Sequence, residues 1–171
     1  MEQLVLRACI KIMNIFFLDS TIKKSVQQYA DAHVVKMITE HVQMLSTVCR
    51  ENGLDVGYKS THKNHPCTLW VGKSLSNWKY LRALTEELHK EWQYRYNHPA
   101  DKLHGAYRKM LELVEPNISD IGFTSPAQAM PDKYKNNDTV IAYRNYYLGE
   151  KQHLLKWTNR PTPIWIKNNG E

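Results

Sequence analysis

The sequence predicts a mainly α, single compact domain of two long and about two shorter helices, with extended loops and an aromatic C-terminal tail. Three observations predict it. The chain has 171 residues, the usual size of one domain and enough to bury a core without metal or disulfide staples. Hydrophobic residues make up 42% and charged residues 23% of it, which argues against disorder and fibrous architecture. Apolar residues also recur at three- and four-residue steps along two long stretches, each bounded by capping or breaking residues.

Taken in order, residues 1–12 read as an N-terminal appendage. Their apolar stretch carries Glu2 and is broken by Arg7 and Lys11, so it matches neither a cleavable signal nor a membrane span. Met13-Asn14-Ile15-Phe16-Phe17-Leu18-Asp19 then reads as the opening of a domain over residues 13–171, with Met13 a candidate start. Asp19, Ser20 or Thr21 can cap a long helix in which Val26, Ala30, Val34, Met37 or Ile38, Leu45 and Val48 form the apolar stripe, stopped by Asn52-Gly53. Residues 57–66 are polar and turn-rich, and Pro66 suits a first helical turn because its missing amide is not needed there. A second long helix runs from about Cys67 to Tyr96 along Val71, Leu75, Trp78, Leu81, Leu88 and Trp92, ending before His98-Pro99. A shorter helix fits His104 to Val114. Pro116, Gly122, Pro126 and Pro131 punctuate a loop, Thr139 to about Trp157 is helical again, and the tail from Thr158 is extended.

Lys and Arg outnumber Asp and Glu by 23 to 17, a formal charge of +6 that favours a polyanionic partner. Ten Tyr and five Trp add ring faces suited to bases. Cys9, Cys49 and Cys67 form no disulfide framework, so a reducing, cytoplasmic setting is expected, within a host cytoplasm for a viral protein. No segment has membrane-spanning length, and a monomer without cofactor is expected.

His33, Lys36, Glu40 and Gln43 are spaced by three, four and three residues, which places them on one side of the first long helix. Lys36 and Glu40 alone make an ordinary i to i+4 ion pair, and a lone His33 is an ordinary half-buried histidine. Together they suit nucleoside chemistry. Breaking an N-glycosidic bond builds positive charge on the sugar, which a carboxylate stabilises, and an amine can capture C1′ as an imine.

Ala30-Asp31-Ala32-His33, with Glu40 seven residues after the His, resembles the catalytic helix of the small phage pyrimidine-dimer DNA glycosylases of the endonuclease V type. The likeness continues through His65-Pro66-Cys67-Thr68-Leu69-Trp70, Lys79-Tyr80-Leu81-Arg82 and the Arg95-Tyr96 pair into Arg160-Pro161-Thr162-Pro163-Ile164-Trp165. Lys36 with Glu40, and Asn64-His65-Pro66 followed by Trp70, are closest to a bacterial and phage branch assigned the same activity by similarity. The resemblance implies that Glu40 is the essential carboxylate, that His33 lies near the lesion, and that the Arg160–Trp165 tail lies against DNA. It also implies an α-amine nucleophile on a Thr exposed by removal of the initiator Met. Here the chain departs from the pattern, because Met1 precedes Glu2 and Met13 precedes Asn14. Lys36 is the candidate replacement, and a glycosylase that uses water is the alternative.

Lys59, Thr61, His62, Lys63, Asn64 and His65, before the second long helix, are candidate phosphate contacts, with a solvated capping loop as the plain alternative. His62, His65, Cys67 and Cys49 lack standard zinc spacing, so no metal site is expected. Residues 143–157 interleave Tyr143, Arg144, Tyr146, Tyr147, Lys151, His153, Lys156 and Trp157, half of which must face the core of any helix. The expected function is a DNA glycosylase, with or without strand-cleaving lyase activity, acting on duplex DNA with a damaged or modified pyrimidine. Gln43, Lys59, Lys63, Arg95, Arg160 and Trp165 are expected to hold the strand. The competing class is a non-catalytic viral binder of nucleic acid or a nucleotide-derived signal on the same scaffold.

Overall fold

A computed structural model describes residues 13–168, so the expected appendage of residues 1–12 lies outside the described residues. Among them the regular structure is helical and no strand is formed. Seven α-helices follow one another: α1 Ile22–Gln27, α2 Asp31–Glu51, α3 Pro66–Lys73, α4 Leu75–Arg95, α5 Gly105–Met110, α6 Thr139–Glu150 and α7 Ile164–Lys167. The two 21-residue helices α2 and α4 pack against each other; α1, α3 and α5 close around them.

Each long helix expected from the periodicity is interrupted once. The first breaks at Gln28–Ala30, where Tyr29 and Ala30 are fully buried and non-local groups take the polar atoms that the break releases. Arg95 Nη1 donates to the Tyr29 carbonyl and Arg95 Nη2 to that of Gln27, while Asp31 N donates to the Lys156 carbonyl at 2.8 Å. The second breaks at Ser74, whose extended backbone (φ −151°, ψ 143°) separates α3 from α4. Leu75 N donates to the Ser119 carbonyl, Ser74 Oγ donates to Asp120 Oδ1 and Ile121 N donates to Ser74 Oγ. In both places partners remote in sequence replace intrahelical bonds, which periodicity cannot reveal.

The shorter helices are trimmed relative to expectation. α5 stops at Met110 and α6 at Glu150, after which Gln152–Leu154 make a 3₁₀ turn. α6 starts where Asp138 Oδ1 accepts from Val140 N (2.8 Å) and Ile141 N (3.2 Å), and one helical turn, α7, lies within the expected extended tail.

The segment Met13–Leu18 is buried throughout and threads the core as extended chain. Phe16 stacks on His33 with ring centroids 4.6 Å apart and meets Tyr29, Tyr143 and Tyr147 edge-on. Phe17 stacks on Tyr80 of α4 at 5.5 Å, and Trp78 of α4 donates from Nε1 to the Leu45 carbonyl of α2. These aromatic contacts fix the entering chain beside α2, and that fixes the site.

Candidate active site

Glu40 faces inward from the middle of α2 and is fully buried. Its Oε1 lies 3.1 Å from Lys36 Nζ one turn back, and its Oε2 accepts from the backbone N of Asn14 at 3.3 Å. The Lys36 side chain is 50% exposed, so the carboxylate is one side chain away from solvent. Asn14 is itself clamped: its Nδ2 donates to the Ala129 carbonyl, and its Oδ1 accepts from Tyr143 Oη at 2.9 Å and from Ile15 N. A buried anion thus stands between a flexible ammonium and a rigid backbone nitrogen.

His33 lies about two turns before Glu40 on α2 and is buried. Its Nδ1 shares a 2.5 Å hydrogen bond with Tyr147 Oη, whose hydroxyl also accepts from Ala30 N. Burial pushes the imidazole down to about 3, aided by the charges of Lys151, Lys36 and His153, so His33 is neutral at ordinary pH. Lys151, just beyond α6, sits with Nζ 4.9 Å over the Tyr146 ring. Partial burial and the charge of Lys36 lower its ammonium, against the raising effects of Glu150 and Glu40. The site therefore gathers a carboxylate, two primary amines and a neutral imidazole.

The other sequence candidates fall into two further groups. Gln43 is half-buried one turn past Glu40, and beyond it Thr47 ties α2 to the segment before α3: its Oγ1 donates to the Thr61 carbonyl and accepts from Thr61 N, both at 3.1 Å. Lys59, His62, Lys63 and Asn64 are exposed on that segment, and the Thr61 hydroxyl pairs with His62 Nδ1 at 2.7 Å. His65 caps α3, accepting from Cys67 N at 3.1 Å.

The second group surrounds the tail. Arg95 is 1% exposed, and its guanidinium binds Glu91 Oε1 (2.7 Å), Asp31 Oδ1 (3.1 Å) and the carbonyls at the α1–α2 break. It acts as a bolt beneath the surface. Arg160 forms a two-pronged pair with Glu91 at 3.0 and 2.9 Å and lies over the Tyr94 ring, half-exposed. Trp165 donates from Nε1 to Gln28 Oε1, carries Arg144 over its ring and meets Tyr147 edge-on at 6.1 Å. Tyr147 thus joins the tail to His33.

Asn14, Tyr147 and Lys151 are the site residues that helix spacing alone does not single out. The interleaved rings and cations of residues 143–157 were the available signal: Tyr143, Tyr146 and Tyr147 are buried, Arg144 and Lys151 are half-exposed, and the residues past Glu150 lie beyond α6. The residues weighed and rejected as a zinc site are dispersed. Cys49 Sγ faces the Val114 carbonyl, Cys67 Sγ faces Asn14, and burial pushes the two thiols up to about 11 and about 12. Among the described residues no group of three His, Cys, Asp or Glu is placed to hold a metal ion, and no helix is long and apolar enough to cross a membrane.

The chain matches the family model described as pyrimidine dimer DNA glycosylase over residues 13–103, just over half of its length. No curated protein and no solved structure matches.

Proposed function

The chain belongs to the pyrimidine dimer DNA glycosylase family, and from that premise we propose that it excises a damaged or modified pyrimidine from duplex DNA, with Glu40 as the catalytic carboxylate. The observation that carries this reading is the buried Glu40 held between Lys36 Nζ and the Asn14 nitrogen. When the C1′–N bond breaks, its electron pair leaves with the base and positive charge develops on the sugar. A carboxylate in a poorly solvated site stabilises that charge far more than water does. Displacing the Lys36 arm opens the way to it.

An amine that then bonds to C1′ gives, after ring opening and loss of a proton, an imine; removal of a 2′ proton expels the 3′ phosphate and cuts the strand. Lys36 Nζ is one candidate amine. The Asn14 nitrogen is the other, because in a chain beginning at that residue it becomes an α-amine 3.3 Å from Glu40. Lys151, with its lowered ammonium, assists as the second cation of the site. His33, neutral and fixed by Tyr147, stands near the sugar without carrying charge.

The test is an end-labelled duplex library carrying cyclobutane dimers, oxidised pyrimidines and hypermodified thymines, scored for base loss and strand cleavage. Wild type is expected to release one class of base, and Glu40→Gln to bind the same duplex with release slowed by about 10²–10⁴-fold. Borohydride trapping followed by peptide mapping assigns the amine: an adduct lost in Lys36→Ala identifies Lys36, and an adduct on the terminal peptide of a chain starting at Asn14 identifies that residue. Base loss with no adduct indicates water as the nucleophile. Wild type that binds duplex yet leaves every lesion intact would show a non-catalytic binder in which Lys36–Glu40 is a structural pair.

A further inference from the structure

The loop between α5 and α6 holds two large apolar side chains out in solvent: Ile121 is 62% and Phe123 is 53% exposed. They flank Gly122, whose φ of +82° is a left-handed conformation that a side chain would strain. This tip is tied down on both sides. Asp120 Oδ1 accepts from Ser74 Oγ (3.0 Å), Ser76 N (3.2 Å), Ser76 Oγ (2.7 Å) and Gly122 N (3.0 Å). On the other side Asn77 and Thr124 exchange two hydrogen bonds, and Trp70 Nε1 donates to the Thr124 carbonyl at 3.2 Å.

The Phe123 ring is braced as well. It stands edge-on to Trp70 at 5.6 Å and tilted against Tyr80 at 5.0 Å, leaving its other side to solvent. Ile121 and Phe123 together, both more than half exposed on a loop tied down on both sides, form an outward apolar tip held ready for a partner.

Its surroundings suit a polyanion. Ser125, two residues on, lines a cavity of about 530 Å³ together with Leu69, which is 57% exposed, and with Lys63 and Lys73. Both lysines are exposed. The acidic groups nearby are engaged: Glu51 on the same cavity lies 3.8 Å from Lys63 and accepts from Ser60 Oγ, and Glu115 lies 3.3 Å from Lys79. The Asp120 Oδ1 is held by its four donors.

We infer that Phe123, backed by Ile121, is a wedge that enters the base stack of duplex DNA, while Lys63 and Lys73 hold the adjoining phosphates. The inference rests on the glycosylase reading and gives it a physical means of opening the duplex: an apolar ring replaces base–base stacking at a step that a lesion has already weakened. Because the loop is braced before contact, little ordering entropy is lost on binding. Phe123 lies outside the span, residues 13–103, that the family model matches.

The test places 2-aminopurine, which brightens when unstacked, beside a lesion in duplex DNA. Wild type is expected to raise its fluorescence on binding. Phe123→Ala is expected to bind lesion-bearing duplex about tenfold more weakly and leave the probe dim, with binding to undamaged duplex changed by less than about threefold. Phe123→Leu, which keeps an apolar wedge, is expected to recover most of the signal. Pairing the lesion with an abasic site, so that the stack is already open, is expected to restore base release by Phe123→Ala. Wild-type unstacking and release in Phe123→Ala and in Ile121→Ala/Phe123→Ala would overturn the wedge and leave the glycosylase reading standing. Failure of wild type itself to bind or process any duplex would remove the reading on which the wedge depends.

Discussion

His41 follows Glu40 on α2, is fully buried, and has Thr85 of α4 3.3 Å from its Nδ1. Burial pushes its imidazole down to about 3, as it does for His33. In the unfolded chain both titrate near the ordinary histidine value of about 6.5. Above that pH neither state binds the protons and stability is unaffected. As pH falls from about 6.5 toward 3 the unfolded chain takes up protons that the folded one refuses, costing up to about 1.4 kcal/mol per pH unit for each histidine. Urea denaturation is therefore expected to show a midpoint that drops between neutral pH and about pH 4. His41→Leu should make that drop shallower; an unchanged slope would mean that His41 is not the buried neutral base described.

At the scale of elements, Arg95 decides how α1, α2, α4 and the tail meet. Burial alone would raise the Asp31 carboxyl, yet the hydrogen bonds from Thr158 and Arg95 outweigh it and hold the group below the usual carboxylate range. Arg95→Leu leaves Asp31 and Glu91 short of a buried partner and opens the carbonyls of Gln27 and Tyr29. A loss of about 3–5 kcal/mol in unfolding free energy is expected, and Arg95→Lys should recover little of it because an ammonium lacks the planar fork that reaches several acceptors. Chemical denaturation of the two variants checks this. Helix content and the sharing of one face by His33, Lys36 and Glu40 are legible in the sequence because a 3.6-residue period expresses both. The breaks at Tyr29 and Ser74 are not, since they depend on Arg95 and Asp120 from elsewhere in the chain. The approach of Asn14 to Glu40 across 26 residues and of Tyr147 to His33 across 114 is invisible to periodicity for the same reason.

For the molecule as a whole, the charge of +6 makes DNA binding an ion-release process. Affinity for duplex DNA, followed by fluorescence anisotropy from roughly 50 to 200 mM salt, is expected to fall linearly on logarithmic axes. Lys59→Ala and Lys63→Ala should each flatten the line by about one unit of slope. Arg160 is already engaged by both oxygens of Glu91, so Arg160→Ala should change the slope less. Lys63 has only a loose 3.8 Å contact with Glu51, so equal effects at all three positions would contradict this contrast with the doubly hydrogen-bonded Arg160.

The tail's grip on the start of α2 sets a limit on how the protein can be divided. Asp31 N donates to the Lys156 carbonyl, Thr158 donates to both Asp31 oxygens, and Tyr147 holds His33, so the amino end of the helix bearing Glu40 is closed by residues more than a hundred positions further along. A fragment severed after residue 103 would keep the span matched by the family model and lose the lock on α2. Synthesis must therefore pass residue 158 before that helix is fully seated, and a nascent chain that stops short of it cannot yet hold His33 and Glu40 in place.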